Sequence, residues 1–167
     1  MLAFLNCPPN PTFAETFERC CKDFDQLFFA SAYCSWPQGS LLNSPLRSLD
    51  SITAVLAPLQ NGGQDDPRTG FIELARAMKE DGKTVHIHEF EQSQLFHPKL
   101  YVFRGSDKSG AIIIGSSNFT RSAFSYNEEL DVLLEGKLEG PQFDILRQRF
   151  NGWLSSSTCL TRQCPSR

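Results

Sequence analysis

The chain has 167 residues, 40% of them hydrophobic, which suits a single domain with its own core and excludes an extensively disordered protein. Its net charge of −3 and pI ≈ 5.6 lack the strongly basic character typical of nucleic-acid-binding domains. No apolar run is long enough to span a membrane, and "MLAFLNCPPNP" lacks the positively charged start of a signal peptide. We therefore expect a soluble, cytoplasmic protein.

Six cysteines are scattered along the chain, at positions 7, 20, 21, 34, 159 and 164. They form no CxxC pair, and no histidine lies near them at the spacing of zinc ligands. A zinc site is therefore not expected. In a reducing compartment, the thiols are expected to be mostly buried and structural.

The first half of the chain alternates between helical and extended patterns. "PTFAETFERCCKDF" predicts an amphipathic helix, and "QLFFASAYC" predicts the strand that follows it. "SITAVLAPL" predicts a second strand, and the "NGGQDDP" loop leads from it into a helix, "RTGFIELARAMKEDG", with Gly82 as its C-cap. "TVHIHEF" predicts a third strand.

His86 and His88 lie two apart on that third strand, so they point to the same face and could form a catalytic or metal-binding pair. No acidic or phosphate-binding loop follows them at a useful spacing. An exposed strand face is therefore the favoured interpretation.

The second half predicts three further strands, "FHPKLYVF", "AIIIG" and "ELDVLLEG", and a closing helix, "PQFDILRQRFNGWL". Four residues share one side of that helix: Phe143, Leu146, Phe150 and Trp153. Strands that alternate with helices indicate a layered α/β fold. We expect one domain over residues 1–155 and a poorly ordered tail over 156–167.

Polar residues stand where these three strands begin or end. His97 and Lys99 share one strand face, Ser116 and Asn118 follow "AIIIG" at the same two-residue spacing, and Glu129 begins the next strand. Each residue alone is explained by a surface, strand or turn position. Together, a His–Lys pair beside Ser and Asn donors suits a tetrahedral oxyanion such as phosphate. A Glu that accepts from one imidazole nitrogen would orient the other for attack.

The set "HPKLYVF…GSSNFT…NEE" resembles the phospholipase D superfamily motif, written HxK, GSxN and a downstream Glu. The resemblance implies a mixed β-sheet flanked by helices on both faces. It assigns His97 as the nucleophile, the phosphate ligands as Lys99, Ser116 and Asn118, and Glu129 as the residue that orients His97. The order of elements over residues 25–136 is similar to the nuclease-like branch, which includes metal-independent restriction endonucleases and helicase-associated domains.

Two positions depart from the pattern or compete within it. The fuller motif has an Asp five residues after the Lys, where this chain has Arg104. Members of the nuclease-like branch often lack that Asp, so we interpret Arg104 as a marker of the branch. Glu128 competes with Glu129, and the family spacing from Asn118 favours Glu129.

The resemblance implies a metal-independent endonuclease that forms a covalent phosphohistidine and needs no cofactor. Superfamily enzymes use two His–Lys motifs and this chain has one, so a homodimer with a shared active site is expected. The expected substrate is nucleic acid, with DNA favoured. A non-catalytic nucleic-acid-binding or dimerisation module is the alternative. A lipid phosphodiesterase ranks lowest, because no membrane-binding amphipathic segment is evident.

Local charge supports a polyanionic substrate. Residues 97–127 carry four basic side chains against one Asp, a balance of +3, and residues 141–167 carry four Arg against one Asp. Within and beside the motif, four residues are expected to contact the substrate: Lys108, Ser117, Thr120 and Arg121.

Overall fold

The computed structural model describes residues 1–6, 10–36, 43–59, 66–91 and 95–161. The helices are α1 (Phe13–Asp23), α2 (Asn43–Ser48), α3 (Thr69–Glu80), α4 (Arg121–Ser125) and α5 (Pro141–Ser155). The strands are β1 (Leu2–Leu5), β2 (Gln26–Ser31), β3 (Cys34–Ser35), β4 (Ser51–Leu56), β5 (Thr84–Phe90), β6 (Lys99–Arg104), β7 (Ser109–Gly115), β8 (Phe119–Thr120), β9 (Asp131–Lys137) and β10 (Ser157–Cys159).

Eight strands form one mixed sheet in the order β1-β9-β7-β6-β2-β4-β5-β10, and β3 pairs with β8 in a small second ladder. The neighbours β2, β4 and β5 are parallel, whereas β6, β7, β9 and β1 follow one another antiparallel. Helices α1 to α4 pack on one face, and α5 packs on the other. The predicted fold class, a mixed sheet with helices on both faces, is confirmed.

Local signals explain where the helices begin and end. Thr12 and Glu15 form a capping box at the start of α1, in which each side chain bonds the other residue's backbone N–H. The chain leaves α3 at Gly82, whose φ of +80° suits a residue without a Cβ. The predicted end of that helix is therefore confirmed. The "NGGQDDP" loop lies largely outside the described residues.

Two short strands complete the sheet beyond what the patterns predicted. β1 pairs antiparallel with β9, although its four apolar residues gave no distinct strand signal. β10 pairs antiparallel with β5, so residues 157–159 differ from the poorly ordered tail that we expected. Two hydrogen bonds hold the end of this segment: Thr161 Oγ1 accepts from the backbone N–H of Ile87 at 3.1 Å, and Lys79 Nζ donates to the Thr161 carbonyl.

Three of the six cysteines are free and buried in the described structure: Cys20, Cys21 and Cys34. Burial raises the pKa of Cys20 to about 12, so its thiol stays protonated and packs as a small apolar group. Cys7 and Cys164 lie outside the described residues. Among the described helices, none combines the length and apolar character needed to cross a bilayer.

Candidate active site

The start of β6 presents the His–Lys pair. Lys99 lies opposite Ser31 of β2, and the carbonyl of Pro98 accepts the N–H of Ala32 at 2.9 Å, which fixes the backbone between the two side chains. Lys99 Nζ lies 2.7 Å from His97 Nδ1 and 3.2 Å from Nε2. The prediction that these side chains share a face is confirmed.

His97 is exposed, whereas Lys99 is half-buried. Burial lowers the pKa of Lys99, and the nearby Glu129 carboxylate opposes that effect. The alternating apolar residues on the other side of the chain are buried, as predicted: Phe96, Leu100 and Val102. The Lys99 ammonium therefore lies at the edge of a packed core.

Ser116 follows β7 directly and joins the motif Glu. Its hydroxyl donates to Glu129 Oε2 at 2.5 Å and accepts the backbone N–H of Leu130 at 2.9 Å. Asn118 lies two residues further on, where its Oδ1 accepts the backbone N–H of Tyr33 at 3.2 Å. The described structure therefore brings the end of β7, the start of β9 and the continuation of β2 to one place.

The Glu129 carboxylate also accepts from Asn127 Nδ2, at 3.0 Å. Its described hydrogen bonds are thus to Asn127 and Ser116, whereas those of the His97 ring are to Lys99. Glu129 acts electrostatically on Lys99, which touches His97, so the carboxylate belongs to the same cluster. Its role in orienting His97 stays a prediction. Glu128 is exposed beside it.

Asp131 is a residue of this region that the sequence patterns did not reveal. It is 1% exposed, and its carboxylate accepts the backbone N–H of Ser117 at 3.1 Å and the Ser117 hydroxyl at 2.6 Å. Tyr101, also buried, donates its hydroxyl to the Ser117 carbonyl at 2.9 Å. An acidic residue inside the apolar pattern of β9 was the available signal, since buried carboxylates require partners.

Gly115 lets the strands approach closely at this point. A Cβ at this position would overlap the carbonyl oxygen of Leu130 and the carboxylate of Asp131. The absence of a side chain therefore allows Ser116 to reach Glu129 across the β7–β9 pair.

Two of the residues that we expected to contact the substrate lie where they would not face it. Lys108 lies in the β6–β7 turn, at the opposite end of these strands from Lys99, and pairs with Glu139 at 3.0 Å. Ser117 is fully buried and directs its hydroxyl to Asp131, so it supports the loop instead of facing a substrate.

The other two expected contacts lie beside the loop. Thr120 caps α4, because its Oγ1 accepts the backbone N–H of Ala123 at 3.3 Å. Arg121 is exposed on the first residue of α4 and stays a predicted substrate contact. Arg104, which replaces the motif Asp, is exposed at the far end of β6, away from Lys99.

An open groove of about 860 Å³ runs between α5 and the segment 95–98, and His97 forms part of its wall. Gln148 and Arg149 line the same groove from α5. The Tyr33 and His97 rings are nearly perpendicular, with 6.2 Å between their centroids. The sequence patterns did not indicate Tyr33 as a neighbour of the pair.

The second histidine pair lies on β5, where the His86 and His88 ring centroids are 6.3 Å apart. His88 pairs in register with Cys159 of β10, and its Nδ1 lies 3.2 Å from the Ser157 hydroxyl. Within the ranges that the structure describes, no group of three or more His, Cys, Asp or Glu side chains is placed to hold a metal ion.

Residues 56–153 match the family model described as "Cardiolipin synthase, PLD-like domain". This match covers more than half of the chain, which therefore belongs to the phospholipase D superfamily of PLD-like domains. A search of curated protein sequences gave no significant match.

Solved structures show the same fold at low sequence identity. Nuc, a phospholipase D family member from Salmonella typhimurium, superposes with a TM-score of 0.68 at 12% identity, covering 97% of each chain. NucT from Helicobacter pylori gives 0.62 at 11% identity, covering 96% of this chain and 99% of its own. Yeast tyrosyl-DNA phosphodiesterase gives 0.52 at 16% identity, covering 92% of this chain and 38% of its own.

Proposed function

We propose that this chain is a phosphodiesterase, and specifically a metal-independent endonuclease that acts through a covalent phosphohistidine. The observation that carries the proposal is the 2.7 Å contact between the Lys99 ammonium and the His97 ring, beside the Ser116–Glu129 pair. A nucleophile, a cation and a hydroxyl within one cluster match what phosphoryl transfer needs. Membership of the phospholipase D superfamily supports the same chemistry.

In the proposed reaction, a ring nitrogen of His97 attacks phosphorus and the bond to the leaving oxygen breaks. Lys99 and Asn118 donate to the nonbridging oxygens and stabilise their extra negative charge in the pentacovalent state. An incoming phosphate would draw the Lys99 N–H groups away from His97, which would leave the ring nitrogen available for attack. Water then attacks the phosphohistidine, and the P–N bond breaks to release the phosphate product.

The leaving oxygen needs a proton, and the attacking water must lose one. The chain has three histidines, and only His97 is followed by a lysine at the motif spacing. We therefore include in the proposal a homodimer in which the partner's His97 acts as general acid and then as general base. Glu129 would hold His97 in the reactive tautomer.

DNA is the favoured substrate in this proposal. The local charge balance of +3 over residues 97–127 suits a polyanion, and one structural neighbour is a tyrosyl-DNA phosphodiesterase. Arg121, exposed beside the loop, would contact the phosphate backbone.

The test is cleavage of plasmid and single-stranded DNA in EDTA, with His97→Ala as the inactive variant. His86→Ala is a matched control, because it removes a histidine from an exposed position on β5. We expect EDTA-resistant cleavage that survives in His86→Ala and falls at least about 1,000-fold in His97→Ala. Complete loss of cleavage in EDTA would contradict metal independence. DNA binding without cleavage would favour the non-catalytic module.

The shared site is tested by refolding mixtures of wild-type and His97→Ala chains. Random pairing at equal amounts leaves about 25% of dimers with two intact histidines, as a closed two-fold pair requires. Activity should then follow the square of the wild-type fraction. A linear decrease would show that each chain carries a complete site.

A further inference from the structure

A second cavity lies between α5 and the sheet, and we call it the α5–sheet cavity. Its volume is about 240 Å³. Its inner lining is apolar, with Phe28, Leu100 and Val102 on the sheet and three further side chains on α5. Its mouth is polar, because the exposed Arg104 and Arg147 also line it. An apolar interior with a few polar groups is typical of a small-molecule site.

The α5–sheet cavity is distinct from the groove that contains His97. Arg104 lies at the opposite end of β6 from Lys99. Leu146 lines both spaces, whereas the other lining residues of the cavity do not line the groove. Among the described residues, none that takes part in the proposed reaction lines the cavity. The proposed reaction therefore gives this cavity no role.

Two guanidinium groups reach the mouth from different elements. Arg104 shares a strand face with Leu100 and Val102, so it ends the row that forms the floor of the cavity. Within the ranges that the structure describes, the Arg104 side chain forms no hydrogen bond or ion pair. Arg147 reaches the mouth from α5 and contacts Asp144 at 2.9 Å.

The ion pair with Asp144 leaves the mouth positively charged. Arg147 and Asp144 are both more than half exposed, and exposed pairs of this kind contribute little to stability. A guanidinium has five N–H donors, so Arg147 can bind a second partner. Two arginines against one Asp give a local balance of 2 − 1 = +1. The Asn151 side chain also lines the mouth and adds an amide donor. These groups suit a small anion.

The interior indicates what the anion carries. An apolar cavity of about 150 Å³ binds benzene, so the α5–sheet cavity has room for about ten non-hydrogen atoms. Phe28, Phe143 and Phe150 line it, and the rings of Phe28 and Phe150 are nearly perpendicular with centroids 6.0 Å apart. Aromatic rings prefer offset or edge-to-face contacts, which a third planar ring could form with this pair.

We propose that the α5–sheet cavity binds a small aromatic carboxylic acid. The ring packs among Phe28, Phe143 and Phe150, and the carboxylate accepts hydrogen bonds from Arg104 and Arg147. A nucleotide is the less favoured occupant, because it is about twice too large for the volume. The inference goes beyond the proposed function, since it assigns a site that the catalytic cluster does not share.

The experiment is a titration of the full chain, with methyl groups labelled for nuclear magnetic resonance. The probe is 3-phenylpropanoate. Its matched probes are 3-phenylpropanamide, which keeps the ring without the charge, and acetate, which keeps the charge without the ring. Methyl signals of Leu100 and Val102 report the α5–sheet cavity, and those of Leu95 and Ile145 report the groove at His97.

We expect 3-phenylpropanoate to shift the Leu100 and Val102 signals with a dissociation constant of about 0.1–1 mM, in the range for ligands of this size. The amide loses the charge-assisted hydrogen bonds, and acetate loses the apolar contacts. Each should therefore bind at least about tenfold more weakly than the acid.

Arg104→Gln and Arg147→Gln test the mouth. Both positions are exposed, so the fold tolerates the change, and the amide spectra check this. Each variant should weaken binding of the acid at least about fivefold and change binding of the amide less than about twofold. Arg149→Gln is the matched control, because it removes an arginine of the same helix that lines the groove instead of the cavity. It should leave binding of the acid within about twofold.

Four outcomes would overturn the inference. The first is no saturable binding of the acid up to about 10 mM. The second is binding that neither Arg104→Gln nor Arg147→Gln weakens, and the third is acetate that binds as tightly as the acid, which would indicate a simple anion contact. The fourth is a set of shifts at Leu95 and Ile145 that Arg149→Gln abolishes, which would place the acid in the groove at His97.

The outcome does not depend on the proposed function, because the titration involves no cleavage. A chain that binds the acid through Arg104 and Arg147 but cleaves no phosphodiester would refute the proposed function alone. A chain that cleaves DNA in EDTA but fails the titration would refute the inference alone.

Discussion

The two ends of the β6–β7 hairpin carry similar residues in opposite physical settings. At one end, Lys99 contacts His97, and the buried Asp131 carboxylate accepts the backbone N–H of Ser117 in the loop after β7. At the turn end, Lys108 and Asp107 form their contacts with exposed partners. A basic or acidic residue in the motif region therefore gains its role from the strand end on which it lies.

Replacing the lysine at each end of the hairpin should give the largest difference in kcat/KM. Lys99→Ala removes a cation that the proposed mechanism places on the phosphate, so kcat/KM should fall about 100-fold to 1,000-fold. Lys108→Ala, its matched control at the turn, should change kcat/KM less than about twofold, because surface ion pairs contribute little. Steady-state cleavage of a labelled oligonucleotide measures both. Equal losses would mean that the substrate spans the whole hairpin.

The adjacent glutamates sharpen the contrast at the catalytic end. Glu129→Gln keeps the size of the side chain but removes the charge beside Lys99 and Ser116, so kcat should fall about 10-fold to 100-fold. Glu128→Gln changes an exposed neighbour and should leave kcat within about twofold. Similar effects of both substitutions would show that the motif register is displaced by one residue.

Asp131 tests whether the loop depends on its buried support. Asp131→Asn keeps the shape but replaces one acceptor of the Ser117 bonds with an NH₂ group. We expect a loss of about 1–3 kcal/mol in the free energy of unfolding and a fall of about tenfold in kcat/KM. Chemical denaturation and oligonucleotide cleavage measure the two effects. Unchanged activity with lowered stability would show that Asp131 supports the fold and not the catalytic loop.

The smallest effect is expected at Asp107, at the turn end of the hairpin, and it concerns the melting temperature. Hydrogen bonds from the side chain and backbone of Ser109 lower its pKa to about 2, with a smaller contribution from Lys137. A lowered pKa means that the carboxylate stabilises the fold above its unfolded pKa of about 4, and that this contribution is lost as pH falls towards 2. Asp107→Asn should therefore lower the melting temperature slightly at neutral pH and not at pH 2.

Ser109→Ala is the matched variant, because it removes the hydroxyl that donates to Asp107. Melting temperatures from pH 2 to pH 6 should converge with those of the wild type in acid for both variants. A constant offset at every pH would exclude the titration of Asp107 as the cause.

The sequence predicted the long elements well, because their periodicity extends over several turns or strand positions. Two-residue spacing also placed Lys99 beside His97 correctly. The sequence pattern could not place β1, because a run of four apolar residues is equally compatible with a strand, a helix or an apolar chain terminus.

The sequence also did not indicate which polar residues of the loop after β7 are buried. In "GSSN" the three polar residues look equivalent, yet the described structure turns Ser117 inward to Asp131 while Ser116 meets Glu129. That distinction depends on the pairing of β7 with β9, and the two hydrogen bonds join residues that lie 13 and 14 positions apart. Lys108 was assigned to the site by its closeness in sequence, but a six-residue strand carries the chain about 20 Å from Lys99.

The close approach at Gly115 limits how this protein can be redesigned. A methyl group there would push β9 away from β7, and this would displace Asp131, the first residue of β9, and Glu129, two residues before it. Every alternative amino acid at position 115 would therefore alter the catalytic carboxylate and the loop support together. Libraries aimed at a new substrate should keep position 115 constant and vary solvent-facing positions such as Tyr33, Arg121 and Arg149, whose backbones can stay in place.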